Sequence, residues 1–123
     1  MTSLEPPPAE EEVNPVHEGN FADKIDPTEK DANIVGKETE TVTLKCSYET
    51  SRDSIYLYWY KRYPNSVLQF LLYKGARLRS DQSTPEDHRL GAETSRDSTE
   101  LTIRGLKLSD SALYHCALRV AAQ

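Results

Sequence analysis

Leu57-Tyr58-Trp59-Tyr60-Lys61-Arg62 decides how the rest of the chain is read. Trp59 is the only tryptophan, and the only two cysteines flank it: Cys46 lies 13 residues before and Cys116 lies 57 residues after. Tyr114 stands two residues before Cys116. Side chains alternate across a strand, so Ile55, Leu57 and Trp59 share one face, and Tyr56, Tyr58, Tyr60 and Arg62 share the other. A sandwich of two antiparallel sheets uses such a set: cysteines on facing sheets, an indole against them, and a tyrosine pinning the last corner.

The cysteines fit neither a CxxC redox pair nor zinc-ligand spacing. As one disulfide, Cys46–Cys116 would close a long loop and contribute about 4 kcal/mol by constraining the unfolded chain. It would also imply an oxidising compartment. The alternative is two reduced, inert, buried thiols.

The length of 123 residues suits one domain. The net charge of −5 is unevenly placed. Glu5, Glu10, Glu11, Glu12 and Glu18 fall in the first 20 residues, which hold no Lys or Arg. From Phe21 onward, 15 acidic residues balance 15 basic ones. That balance offers no basic surplus for nucleic acid. Residues 1–21, with Pro6-Pro7-Pro8 and few apolar side chains, are expected to be disordered, and residues 22–123 to form the domain. No secretory leader and no apolar run long enough to span a membrane are read. His17, His88 and His115 are scattered, and no hydrolase, zinc or phosphate-binding motif occurs. The chain is therefore read as non-enzymatic, with no cofactor and no metal site.

Alternation places the strands. In residues 41–46, Val42, Leu44 and Cys46 point to one face and Thr41, Thr43 and Lys45 to the other. Residues 50–54 are polar and form a loop. Residues 55–62 form the next strand, with three tyrosines where a solvent-facing side would be polar. Tyrosine and arginine are enriched in protein interfaces, so this face is read as a binding surface. After a turn at residues 63–66, residues 68–73 are apolar on both faces, and Leu68 and Phe70 join Tyr60 in an outward patch. A basic loop spans residues 74–80, a polar connector residues 81–87, and a short strand lies around residues 89–94. Leu101 and Ile103 point inward from residues 99–103. Tyr114 and Cys116 do so from residues 112–118. The expected core centres on Trp59, Leu101 and Tyr114.

These segments together resemble the V-set immunoglobulin domains, most closely T-cell receptor variable segments of the alpha/delta type. The resemblance covers residues 22–119 and rests on residues 42–48, 57–64, 68–73, 101–103 and 108–118. It implies an all-β Greek-key sandwich. Three loops would cluster at one end and contact peptide–MHC or a related antigen. The first spans residues 50–56, the second residues 74–80, and the third starts after Cys116. The candidate contact residues are Arg52, Asp53, Tyr56, Lys74, Arg77, Arg79 and Arg119. Tyr60, Arg62, Leu68, Phe70 and His115 would face a second variable chain in a heterodimer. Arg89, in the short strand around residues 89–94, would form a salt bridge with Asp110. The implied location is the extracellular face of the plasma membrane, as part of a receptor.

Three departures stand out. Arg62 occupies a position where the family usually has glutamine, and His115 one where it usually has tyrosine or phenylalanine. The family's joining segment is not read, so the strand it forms, strand G, and half of the third loop are expected to be missing. An adhesion or innate-receptor V-set module is the alternative reading.

Overall fold

The structure, a computed structural model, describes residues 12–13, 24–27 and 39–120. Two four-stranded sheets face each other, and the disulfide joins them. In chain order the strands are β1 (Glu12–Val13), β2 (Lys24–Pro27), β3 (Val42–Glu49), β4 (Ser54–Arg62), β5 (Gln69–Arg77), β6 (Leu90–Thr94), β7 (Ser98–Ile103) and β8 (Leu113–Val120). One sheet has the order β2-β3-β7-β6 and the other β1-β8-β4-β5. All named pairings are antiparallel. This is the expected all-β V-set sandwich, with the ABED arrangement in one sheet and the C, C′ and F positions in the other.

The alternating pattern of β3 buries Leu44, Cys46 and Tyr48, and that of β7 buries Thr99, Leu101 and Ile103. Cys46 on β3 bridges Cys116 on β8 with a Cα separation of 6.7 Å. Trp59 is the register partner of Cys116 on one side and of Leu72 on the other. Its indole is buried in the same cluster as both cysteines. A buried indole N–H needs an acceptor. Here the hydroxyl of Thr99 accepts at 3.2 Å and itself donates to the Glu93 carbonyl. Tyr114 donates to the Asp110 carbonyl at 2.7 Å, the corner bond expected from its position before Cys116.

A register shift between Trp59 and Tyr60 explains why residues 68–73 read as apolar on both faces. Trp59 pairs with Leu72 but Tyr60 pairs with Phe70, so Leu71 is the extra residue of a bulge. Leu72 is thereby kept on the core side, while Phe70 joins Tyr60 on the opposite face.

Three expectations change. Glu12–Val13 lie within the segment expected to be disordered, yet they pair with Arg119 and Leu118 of β8. The outer edge of β8 presents backbone donors and acceptors, and an edge of that kind recruits any extended segment within reach. Second, β8 extends to Val120 because β4 offers partners as far as Ile55, so Arg119 sits in a strand. Third, β5 extends to Arg77, so Lys74 and Arg77 belong to a strand as well. The chain beyond Val120 lies outside the described residues. No strand follows β8 among the described residues.

Candidate functional site

Two surfaces carry the candidate residues: the loop end of the sandwich and the face of β4, β5 and β8 that points away from the disulfide.

At the loop end, the first and second loops are tied together through Arg77. Its guanidinium donates to the carbonyls of Thr50 at 2.7 Å and Arg52 at 2.6 Å through Nη1. Nη2 and Nε donate to the Arg96 carbonyl at 2.7 and 3.1 Å. The same group lies over the Tyr48 ring, with its Cζ atom 5.4 Å from the centroid. The Arg77 backbone has a φ of 61°, a left-handed conformation that is uncommon for a non-glycine residue. Leu78 N–H then donates to the Asp53 carbonyl at 2.9 Å, which closes the two loops on each other. Arg77, expected as a contact residue, has its guanidinium taken up by the protein's own backbone. Lys74 also points back into the domain. Its ammonium reaches the Ala92 carbonyl at 3.4 Å and Glu93 at 3.6 Å.

Gly75 stands where the chain doubles over itself. A Cβ there would come within 2.7 Å of the Arg79 Cβ and 2.8 Å of its carbonyl oxygen. Its N–H donates to the Asp81 carbonyl. This folds the second loop beside β4, where Arg79 lies over the ring of Tyr56. The Tyr56 hydroxyl donates to the Asp81 carboxylate at 3.0 Å. Arg52, Asp53 and Leu78 remain exposed at this end. β8 reaches the same end, with Val120 opposite Ile55 and Arg119 opposite Tyr56. Val120 thus ends β8 beside the start of β4 and the first loop. Arg119 itself is buried, with its guanidinium over Tyr58 at 4.5 Å from the centroid.

On the outward face, Tyr56, Tyr58 and Tyr60 are buried in spite of pointing away from the disulfide. They form a second apolar cluster with Ala117, against which Phe70 and Tyr73 pack. Tyr58 stacks on Tyr73 with centroids 5.3 Å apart and on Tyr60 at 6.2 Å. Phe70 meets Tyr60 nearly edge-on at 6.0 Å. The rings cover one another, a mode of burial that alternation alone does not reveal. What stays accessible lies at the β4–β5 turn: Tyr63, Val67 and Leu68, with Leu68 45% exposed. Arg62, Phe70 and His115 are partly buried beside them. His115 is the register partner of Tyr60. Burial, and then the nearby Arg62 charge, hold its imidazole below the ordinary histidine range.

Below the sandwich, Arg89 and Asp110 are joined as expected. Nη1 and Nη2 of Arg89 donate to the two Asp110 carboxylate oxygens at 2.8 and 2.9 Å. Asp110 is buried and also accepts from Lys107 N–H at 2.7 Å. Asp87 is a further partner that was not foreseen. It takes Arg89 Nε at 3.1 Å and Nη2 at 2.8 Å, although the Asp-x-Arg spacing was there to be read. Hydrogen bonds from Arg89 hold both carboxyls below their ordinary range. Thr99 was missed likewise, since nothing local marks it as the acceptor for Trp59.

The Immunoglobulin V-set domain family matches residues 29–123. This chain belongs to the immunoglobulin V-set family. Its relatives include the human T cell receptor alpha variable 14/delta variable 4, 37% identical over 80% of this chain and 83% of that protein. Human T cell receptor alpha variable 38-2/delta variable 8 is 33% identical over 75% of the chain and 78% of its own length. Human T cell receptor beta variable 13 is 34% identical over 69% of the chain and 67% of its own length. The T cell receptor variable relatives support an antigen-receptor variable domain. No helix among the described residues is long and apolar enough to cross a membrane.

Proposed function

We propose that this V-set chain is the antigen-recognition domain of a T-cell receptor chain of the alpha/delta type. Its clustered loops contact peptide–MHC or a related ligand, and its outward β4–β5–β8 face packs against a second variable domain. The receptor works at the extracellular face of the plasma membrane. The observation that carries this reading is the division of the outward face. A self-covering tyrosine layer forms a rigid floor, and an accessible apolar rim stands beside it at Val67 and Leu68. A rigid aromatic floor with an apolar rim suits a packed protein interface. At the loop end, Arg77 braces the first loop, which lowers the ordering cost when Arg52, Asp53 and Arg79 meet a ligand.

The test is pairing with a beta-type variable domain. Leu68→Asp is expected to weaken the heterodimer while leaving the thermal midpoint of the isolated chain near that of the wild type, and Phe70→Asp to weaken the heterodimer while also lowering that midpoint, because Phe70 packs on the tyrosine cluster. Wild-type pairing by both variants would remove the partner-face assignment.

A further inference from the structure

Arg62 is the cation of the outward face that is left for another molecule to satisfy. It ends β4 opposite Leu113 of β8, next to Tyr63 and one residue beyond Lys61, which pairs with Gln69 of β5. Among the described residues its guanidinium makes no hydrogen bond or ion pair. The other arginines near these rings are engaged: Arg79 lies over Tyr56 and Arg119 over Tyr58. The carboxylate hydrogen-bonded into this layer is Asp81, held by the Tyr56 hydroxyl at the loop end of β4, the end opposite Arg62. The Arg62 charge is felt locally, since it opposes protonation of His115.

Covering this rim with an apolar surface would strip water from an unpaired guanidinium, which costs several kcal/mol unless an acceptor replaces it. A neutral amide returns part of that loss, whereas a carboxylate meets the planar guanidinium with two charge-assisted bonds. A second copy of this chain would bring a like cation to the same rim, so charge disfavours self-pairing.

We infer that the second variable domain recognised by this face carries a carboxylate where it meets Arg62, and that this ion pair selects among partner domains. The inference rests on the pairing reading above and names the partner chemistry that goes with it.

The experiment titrates the full chain with a beta-type variable domain bearing Glu, Gln or Lys at its position facing Arg62. The Glu form is expected to bind about tenfold more tightly than the Gln form, and the Lys form more weakly than either. In Arg62→Gln the preference for Glu disappears, and in Arg62→Glu the Lys-bearing partner becomes the tightest. Equal affinity for all three forms, or a Glu preference that survives in Arg62→Gln, overturns the carboxylate rule and leaves pairing intact. Absence of binding to any form overturns the pairing reading and the rule together.

Discussion

Arg89 reaches Asp110 through two parallel bonds of 2.8 and 2.9 Å, and the backbone carbonyl of Asp110 in turn accepts the Tyr114 hydroxyl at 2.7 Å. One residue therefore anchors both the ion pair and the corner that leads into β8. Removing the buried Asp110 carboxylate takes two charge-assisted bonds from the half-buried Arg89 guanidinium, which keeps Asp87, and leaves the Lys107 N–H without its acceptor. Asp110→Ala is expected to cost about 3 kcal/mol. The Asp87 carboxylate is more exposed, and Asp87→Ala is expected to cost less than about 1 kcal/mol. Urea denaturation of the two variants measures the difference, and equal losses would contradict it.

The same carboxylates set the acid limit. Both have folded-state pKa values below those of the unfolded chain, with hydrogen bonds from Arg89 as the leading cause. Their contribution is complete above the unfolded carboxyl pKa of about 4 and is lost as pH falls through the depressed folded values. Urea midpoints measured downward from pH 6 should fall steeply below about pH 4 in the wild type and less so in Asp110→Asn.

His115 contributes with the opposite charge type. Its folded-state pKa is below the unfolded value of about 6.5, so below that pH the unfolded chain binds the proton more readily. Stability should rise with pH from the depressed folded pKa up to about 6.5 and then level off. Substitution His115→Gln should flatten that segment of the pH profile. An unchanged slope would mean that the imidazole is not held neutral.

Arg77 supports a prediction about the loops. Without its guanidinium the Thr50 and Arg52 carbonyls lose their tie to β5. In Arg77→Ala the Leu78 amide, which donates to the Asp53 carbonyl, should exchange about fivefold faster, corresponding to roughly 1 kcal/mol. Exchange at Leu101, in the middle of β7, should be unaffected if the loss is local.

The β1–β8 pairing can be checked separately. Substitution Val13→Pro removes one backbone donor from β1 and disfavours continued pairing. Amide exchange in the Leu118–Arg119 stretch of β8 should quicken. If it does not, the outer edge of β8 is open in solution.

The framework was legible because its signals are local and periodic. The inward alternation of Leu44, Cys46, Leu101 and Ile103, together with Trp59 and Tyr114, points to two facing sheets without any coordinates. The Arg89–Asp110 bond was legible only through the family resemblance, since the partners are 21 positions apart. Arg77 was expected as a ligand contact, and its bonds to the Thr50, Arg52 and Arg96 carbonyls were not foreseen. Its role depends on a left-handed backbone and on carbonyls about 20 or more positions distant, and neither leaves a pattern in sequence. The outward tyrosines were placed on the right face, but their mutual burial depends on the bulge that brings Phe70 opposite Tyr60. Arg119 was assigned to a loop because its strand partner, Tyr56, belongs to a segment 63 positions earlier.

The most direct test of the central claim is hydrogen exchange of the chain with and without a beta-type variable domain. Pairing through the outward face predicts protection of the β4–β5 turn and adjoining strands, from Tyr60 to Phe70, and of β8 around His115. Protection confined to β6 and β7 on the opposite sheet would contradict it.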